Sequence, residues 1–66
     1  MINKNDLKGK YISYIDKDGK TRTDRVVRIA GSYLTIINAV KVKHRIHKSK
    51  VLGRQFRKRG LEQIEW

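Results

Sequence analysis

His44 and His47 stand three residues apart and are the first pair to weigh as metal ligands. They sit in a stretch that alternates apolar and polar residues, as a strand does, and residues three apart in a strand point to opposite faces. The two imidazoles therefore diverge. His44 follows the inward pattern and suits a core-edge position, while His47 follows the outward pattern and can touch a phosphate when charged. The chain has no cysteine, which excludes disulfides and thiolate-held zinc or iron–sulfur centres. Asp16-Lys17-Asp18-Gly19 opens like a calcium loop but lacks the third acidic ligand and the closing glutamate, and a hairpin turn accounts for it. A metal-dependent nuclease needs clustered carboxylates, and Asp16, Asp18 and Asp24 occupy one hairpin. No nucleophile–base arrangement can be assembled, and the five glycines are scattered turn residues with no phosphate-binding loop among them. The residues predict no enzyme, no cofactor and no small-molecule substrate.

The cations are more informative. Lys and Arg number 17 against 6 Asp and Glu, a formal net charge of +11 over 66 residues. No acidic residue falls between Arg25 and Leu61, and nine Lys or Arg lie between positions 41 and 59. The molecule is expected to be electrically lopsided, and self-repulsion within a one-signed run destabilises a fold unless a polyanion relieves it. Lys41, Lys43 and Arg45 alternate with Val40, Val42, His44 and Ile46, so a strand there presents a row of cations about 6.8 Å apart. His47, Lys48 and Lys50 follow, and Arg54, Arg57, Lys58 and Arg59 form a basic arm between Gly53 and Gly60. These ten residues are the expected nucleic-acid-binding set. With no Asn or Gln inside the row to read base edges, binding is expected to tolerate any sequence, Gln55 being the one nearby reader. Phe56 fits a core position with Leu52 better than a stacking role. Tyr11, Tyr14 and Tyr33 lie in the less basic half, which tilts the expectation towards duplex DNA held by its backbone, with RNA open.

These side chains need a scaffold of strands. Asp6-Leu7-Lys8-Gly9 reads as a lead-in turn with Leu7 plugging the core. A strand over 10–16 follows, then the Asp18-Gly19 turn, a strand from Thr21 to Ala30, a turn at Gly31-Ser32 and a strand over 33–38. A turn at Asn38-Ala39 leads to a strand over 40–47, and Leu61 to Trp66 closes the chain as a fifth strand. Between them, 48–59 is expected to be a short helix capped by Ser49 or a basic loop. The expected core is Ile12, Val27, Ile29, Leu34, Ile36, Val42, Ile46 and Ile64.

The segments Gly9-Lys10-Tyr11-Ile12, Ile15-Asp16-Lys17-Asp18-Gly19-Lys20, Arg25-Val26-Val27-Arg28-Ile29 and Gly31-Ser32-Tyr33-Leu34-Thr35-Ile36 resemble the first three strands of SH3-like barrels of the Tudor and KOW type. The likeness covers about residues 7–38. It implies an all-β fold, a small five-stranded antiparallel SH3-like barrel forming one domain over 1–66. Members of that group bind nucleic acid or sit on ribosomes and RNA polymerases; others bind peptides or methylated side chains through an aromatic cage. The five aromatics here are widely spaced, which leans away from a cage. The expected function is a sequence-tolerant nucleic-acid-binding protein, DNA or RNA, such as a transcription-associated accessory factor. The alternatives are a structural protein of the transcription or translation machinery, or a module for an acidic protein. No apolar run approaches the roughly 20 residues of a membrane span, and Met1 to Asp6 has no signal-peptide core. The reading is a soluble cytoplasmic protein with no membrane partner.

Overall fold

In the computed structural model, which describes residues 1–56 and 60–66, every regular element longer than one turn is a strand. The strands are β1 (Ile2–Asn3), β2 (Tyr11–Ile15), β3 (Thr21–Ala30), β4 (Tyr33–Ile37), β5 (Lys43–His47), β6 (Val51–Gln55), β7 (Leu61–Glu62) and β8 (Ile64–Glu65). Six of them form one antiparallel sheet in the order β5-β4-β3-β2-β6-β7, and β1 pairs in parallel with β8. Among the described residues no pairing joins β5 to β7. No helix among them is long and apolar enough to cross a membrane.

The hairpin expected at Asp18-Gly19 is present. Gly19 has φ +79°, where side chains with a Cβ are strained. Asp16 completes the turn: its Oδ1 accepts from the N–H groups of Asp18 and Lys20 at 2.8 and 2.9 Å, and its Oδ2 accepts from Arg22. The Arg22 hydrogen bond, and then the Lys20 N–H, hold the Asp16 carboxyl below the usual carboxylate range. Gly19→Val should cost about 1–3 kcal/mol by forcing a β-branched residue into the left-handed region. Thermal denaturation measures that loss, and an unchanged midpoint would contradict the turn.

β3 is the long element, and it serves two partners. Its first half pairs with β2 and its second with β4, and the register with β4 slips between Val26 and Arg28. Val27 is the extra residue of a β-bulge. A bulge bends and twists its strand, so the two halves of the sheet turn towards each other. The residues on the concave side form one cluster: Ile12 and Tyr14 of β2, Val26 of β3, Leu34 and Ile36 of β4, closed by Leu7 and by Ile64 of β8. Leu7 is thus the plug expected from the lead-in turn.

The bulge also corrects the expected core. Regular alternation along β3 puts Val27 inside with Ile29; the slip puts Val26 inside, 1% exposed, and leaves Val27 half-buried. Ile29 and Ile46 pack against the cluster from its margin. Val42 is not core: it is 52% exposed. The β4–β5 connection runs over 38–42 rather than ending at Ala39, because Asn38 Oδ1 accepts from both Val40 and Val42 N–H at 3.0 Å and ties up the backbone that would have extended the strand.

The segment 48–59 is corrected as well. It is neither a helix nor an unpaired loop where it is described. Lys48–Lys50 forms a single 3-10 turn, and its cap is His47, whose side chain accepts from Ser49 N–H. β6 follows and pairs with β2, with a second register slip that leaves Leu52 as the extra residue. That slip breaks the two-residue period along β6, so the four-residue spacing of Leu52 and Phe56, which would suit a helix, does not mark one. Both are exposed, so the core placement of Phe56 is overturned too. The expected final strand is split into β7 and β8. β7 pairs antiparallel with β6 and passes close to Gly53, which has no side chain: a Cβ there would lie 2.8 Å from the Glu62 carbonyl oxygen and 3.2 Å from Leu61 Cβ. Gly53→Ala should therefore destabilise the domain by about 1–3 kcal/mol, since backbone must move to admit the methyl group. The midpoint of chemical denaturation reads this, and a variant as stable as the parent would place β7 elsewhere.

Candidate nucleic-acid interface

Register decides which cations share a surface. On β5, Lys43, Arg45 and His47 oppose Ile37, Thr35 and Tyr33 of β4. On β3, Arg25, Arg28 and Ala30 oppose the same three β4 residues. All nine therefore project from the convex side, away from the core. Directly opposed residues two strands apart are about 10 Å from one another. Lys43, Arg45, Arg28 and Arg25 mark the corners of a cationic quadrilateral across three strands. No strand position of this face carries Asp or Glu among the described residues. Asp24 and Glu62 belong to the other side, where Asp24 accepts a hydrogen bond from the Tyr14 hydroxyl and Glu62 accepts one from Arg54. Burial, and then that hydrogen bond to Asp24, raise the Tyr14 phenol above its ordinary value.

Arg25 and Arg28 were not in the expected set. Three residues apart in a regular strand, they would face opposite ways. The bulge at Val27 brings them together. The Gly31-Ser32 turn carries the usable signal: pairing outward from it sets Arg28 beside Thr35 and so in line with Arg45.

Lys41 does not belong to the strand row. It sits in the 38–42 connection with φ 68°, and reaches the face by lining a groove with Tyr11, Thr23, Arg25 and Ile37. Lys43 and Arg45 stand as expected. His47 is half-buried; its Nδ1 accepts from Ser49 N–H at 3.1 Å, so the neutral ring carries its proton on Nε2. His44 points to the concave side, as its place in the alternation implied, but is exposed because β5 is an edge strand. Lys48 lies in the 3-10 turn, its N–H bonded to the Ser32 carbonyl at 2.8 Å, and Lys50 lines a separate concavity with Tyr14, Asp24 and His44. Arg54 opposes Ile12 and so faces away from the quadrilateral; its guanidinium lies between Glu62, at 3.1 Å, and the Phe56 ring, at 4.9 Å. Gln55, the expected base reader, has its carboxamide oxygen taken by the buried Ser13 hydroxyl at 2.7 Å. Arg57, Lys58 and Arg59 lie outside the described residues. No group of three or more His, Cys, Asp or Glu among the described residues is arranged to hold a metal ion.

Tyr33 is the largest departure from the expected layout. The sequence places it in the less basic half, but pairing sets it directly against β5. The Arg45 guanidinium lies 4.9 Å from the ring centroid, and the His47 ring meets it edge-on at 5.1 Å. Tyr11 is on the same convex face, opposite Arg25. The backbone adds donors at the same edge. Asn38 N–H bonds to Val42 C=O and Lys48 N–H to Ser32 C=O, so the alternating pattern leaves the N–H and C=O groups of Lys43, Arg45 and His47 facing outward.

Comparison with known protein families, with curated proteins and with solved structures finds no match for this chain.

Proposed function

We propose that the chain is a nucleic-acid-binding module of the SH3-like kind, acting through its convex face and tolerant of sequence. The observation that carries the reading is the composition of that face: Lys43 and Arg45 of β5 and Arg28 and Arg25 of β3, on the two strands that flank β4, with no carboxylate at any of its strand positions among the described residues. Cations fixed this way cannot be neutralised within the fold and gain most from a polyanion. Phosphate contacts from a rigid sheet hold a strand in place without reading it. The SH3-like reading is supported by β6, which returns to pair with β2 in the six-stranded sheet, and by the single core cluster on the concave side of that sheet. Lys41, His47 and Lys48 border the face and extend its field, while Lys50 lines the opposite concavity. Tyrosines distant from the cations along the sequence favour duplex DNA, but Tyr33 lies in contact with Arg45, so duplex DNA is not favoured over single strands on that count.

A mobility-shift comparison of duplex DNA, single-stranded DNA and structured RNA at two salt concentrations tests the function. The reading expects binding that weakens steeply with salt, with a slope of about −0.9 per phosphate neutralised on duplex DNA and about −0.7 on single strands. Failure to shift any of them at low salt would leave the acidic-protein partner as the better reading.

A further inference from the structure

The convex face carries aromatic rings among its cations, and this sets it apart from a plain phosphate-binding surface. Tyr33 is 44% exposed and Tyr11 55% exposed. Tyr33 is held by Arg45 on its ring and His47 at its edge. A ring fixed by its neighbours loses little rotamer freedom when something stacks on it. Its β3 neighbour on the other side is Ala30, which is too small to cover it. Tyr11 lies diagonally across the sheet, two strands over and four paired positions along, about 17 Å away by strand geometry. Arg25 and Arg28 stand on β3, the strand between them. Bases inside a duplex are stacked on one another and offer no free face to a tyrosine, whereas bases of a single strand do.

Resting on the nucleic-acid reading above, we propose that this face is a stacking platform for single-stranded nucleic acid, with Tyr33 and Tyr11 each taking a base and Arg25, Arg28, Lys43 and Arg45 holding the phosphates between and beside them. Every base has a π face, so the platform keeps the tolerance of sequence while selecting for unpaired strands.

The test compares fluorescein-labelled DNA and RNA strands of about 12 nucleotides, an abasic DNA strand of the same length and charge, and a duplex of the same sequence, by anisotropy. The parent protein should bind the base-bearing strands about tenfold or more tightly than the abasic strand, and more tightly than the duplex. Tyr33→Leu should lower affinity for the base-bearing strands about tenfold, leave the abasic strand unchanged and keep the same salt slope. Tyr33→Phe should bind as the parent does. Tyr11→Leu, at the second site, should act in the same direction. Both tyrosines are exposed, so the thermal transition should persist in each variant. Equal binding of abasic and base-bearing strands, or duplex preferred over single strand, overturns the stacking platform while leaving the nucleic-acid reading in place. Absence of binding to all four probes overturns both.

Discussion

Exchanging Lys43 and Arg45 together for glutamate should lower affinity for nucleic acid of any sequence by about a hundredfold at low salt and flatten its salt dependence, because two phosphate contacts become two repulsions and the counterions they displaced are no longer released. The loss should be uniform across sequences, since neither side chain is placed to read a base edge against a neighbouring Asn or Gln. Folding should survive. Both residues are exposed on an edge strand, and neither takes part in an ion pair with a carboxylate among those described. What the fold loses is the contact of Arg45 with Tyr33, worth about 0.5–1 kcal/mol at an exposed site. The added carboxylates offset part of that by reducing repulsion with Arg25 and Arg28. Fluorescence anisotropy over a salt series measures the binding, and circular dichroism on heating measures the fold. A double variant that binds like its parent at both salt extremes would make the convex face an ordinary solvated surface.

The second large effect is on folding, and it separates two valines. Val26→Asp should leave the domain unfolded at 25 °C. Val26 is 1% exposed within the single core cluster, so the substitution buries an unpaired carboxylate at a cost of several kcal/mol. A domain of this size holds only about 3–5 kcal/mol of stability in reserve. Val42→Asp should fold normally, with a change within about 0.5 kcal/mol, because Val42 lies half-exposed in the β4–β5 connection. Far-ultraviolet circular dichroism and the presence of a cooperative melt distinguish the two. The opposite pattern would contradict both placements: Val26→Asp tolerated would mean that β3 runs without its bulge and that Arg25 and Arg28 lie on different faces, and Val42→Asp unfolded would extend β5 into the connection with Val42 in the core.

Much of this architecture is legible in the sequence, and what is not has identifiable causes. Asp18-Gly19 and Gly31-Ser32 mark two hairpins correctly, since both glycines take positive φ, and Thr21–Ala30 is a strand at its expected bounds. Charge segregation is a property of the sequence itself, so the row of Lys43 and Arg45 follows once β5 is placed. The errors cluster at register slips. Neither the bulge at Val27 nor the one at Leu52 has a side-chain signature, because a bulge answers to twist and closure of the whole sheet rather than to local preference. The first moved Val26 into the core and Arg25 onto the cationic face; the second broke the two-residue period along β6. Lys41 left its row because Asn38 captured two N–H groups of the connection, a choice made by one side chain. Tyr33 is a different case. Its distance from the cations along the chain is real, and only strand pairing brings it to Arg45 and His47.

The most direct measurement is a two-dimensional amide NMR titration of the 15N-labelled protein with an unlabelled single-stranded oligonucleotide of about 12 nucleotides. The account predicts that shifts concentrate on Arg25, Arg28, Tyr33, Lys43, Arg45 and His47, with Tyr11 and Lys41 at the border. Shifts confined to the opposite concavity around Tyr14, Asp24, His44 and Lys50, or a spectrum unchanged by excess oligonucleotide, would contradict it.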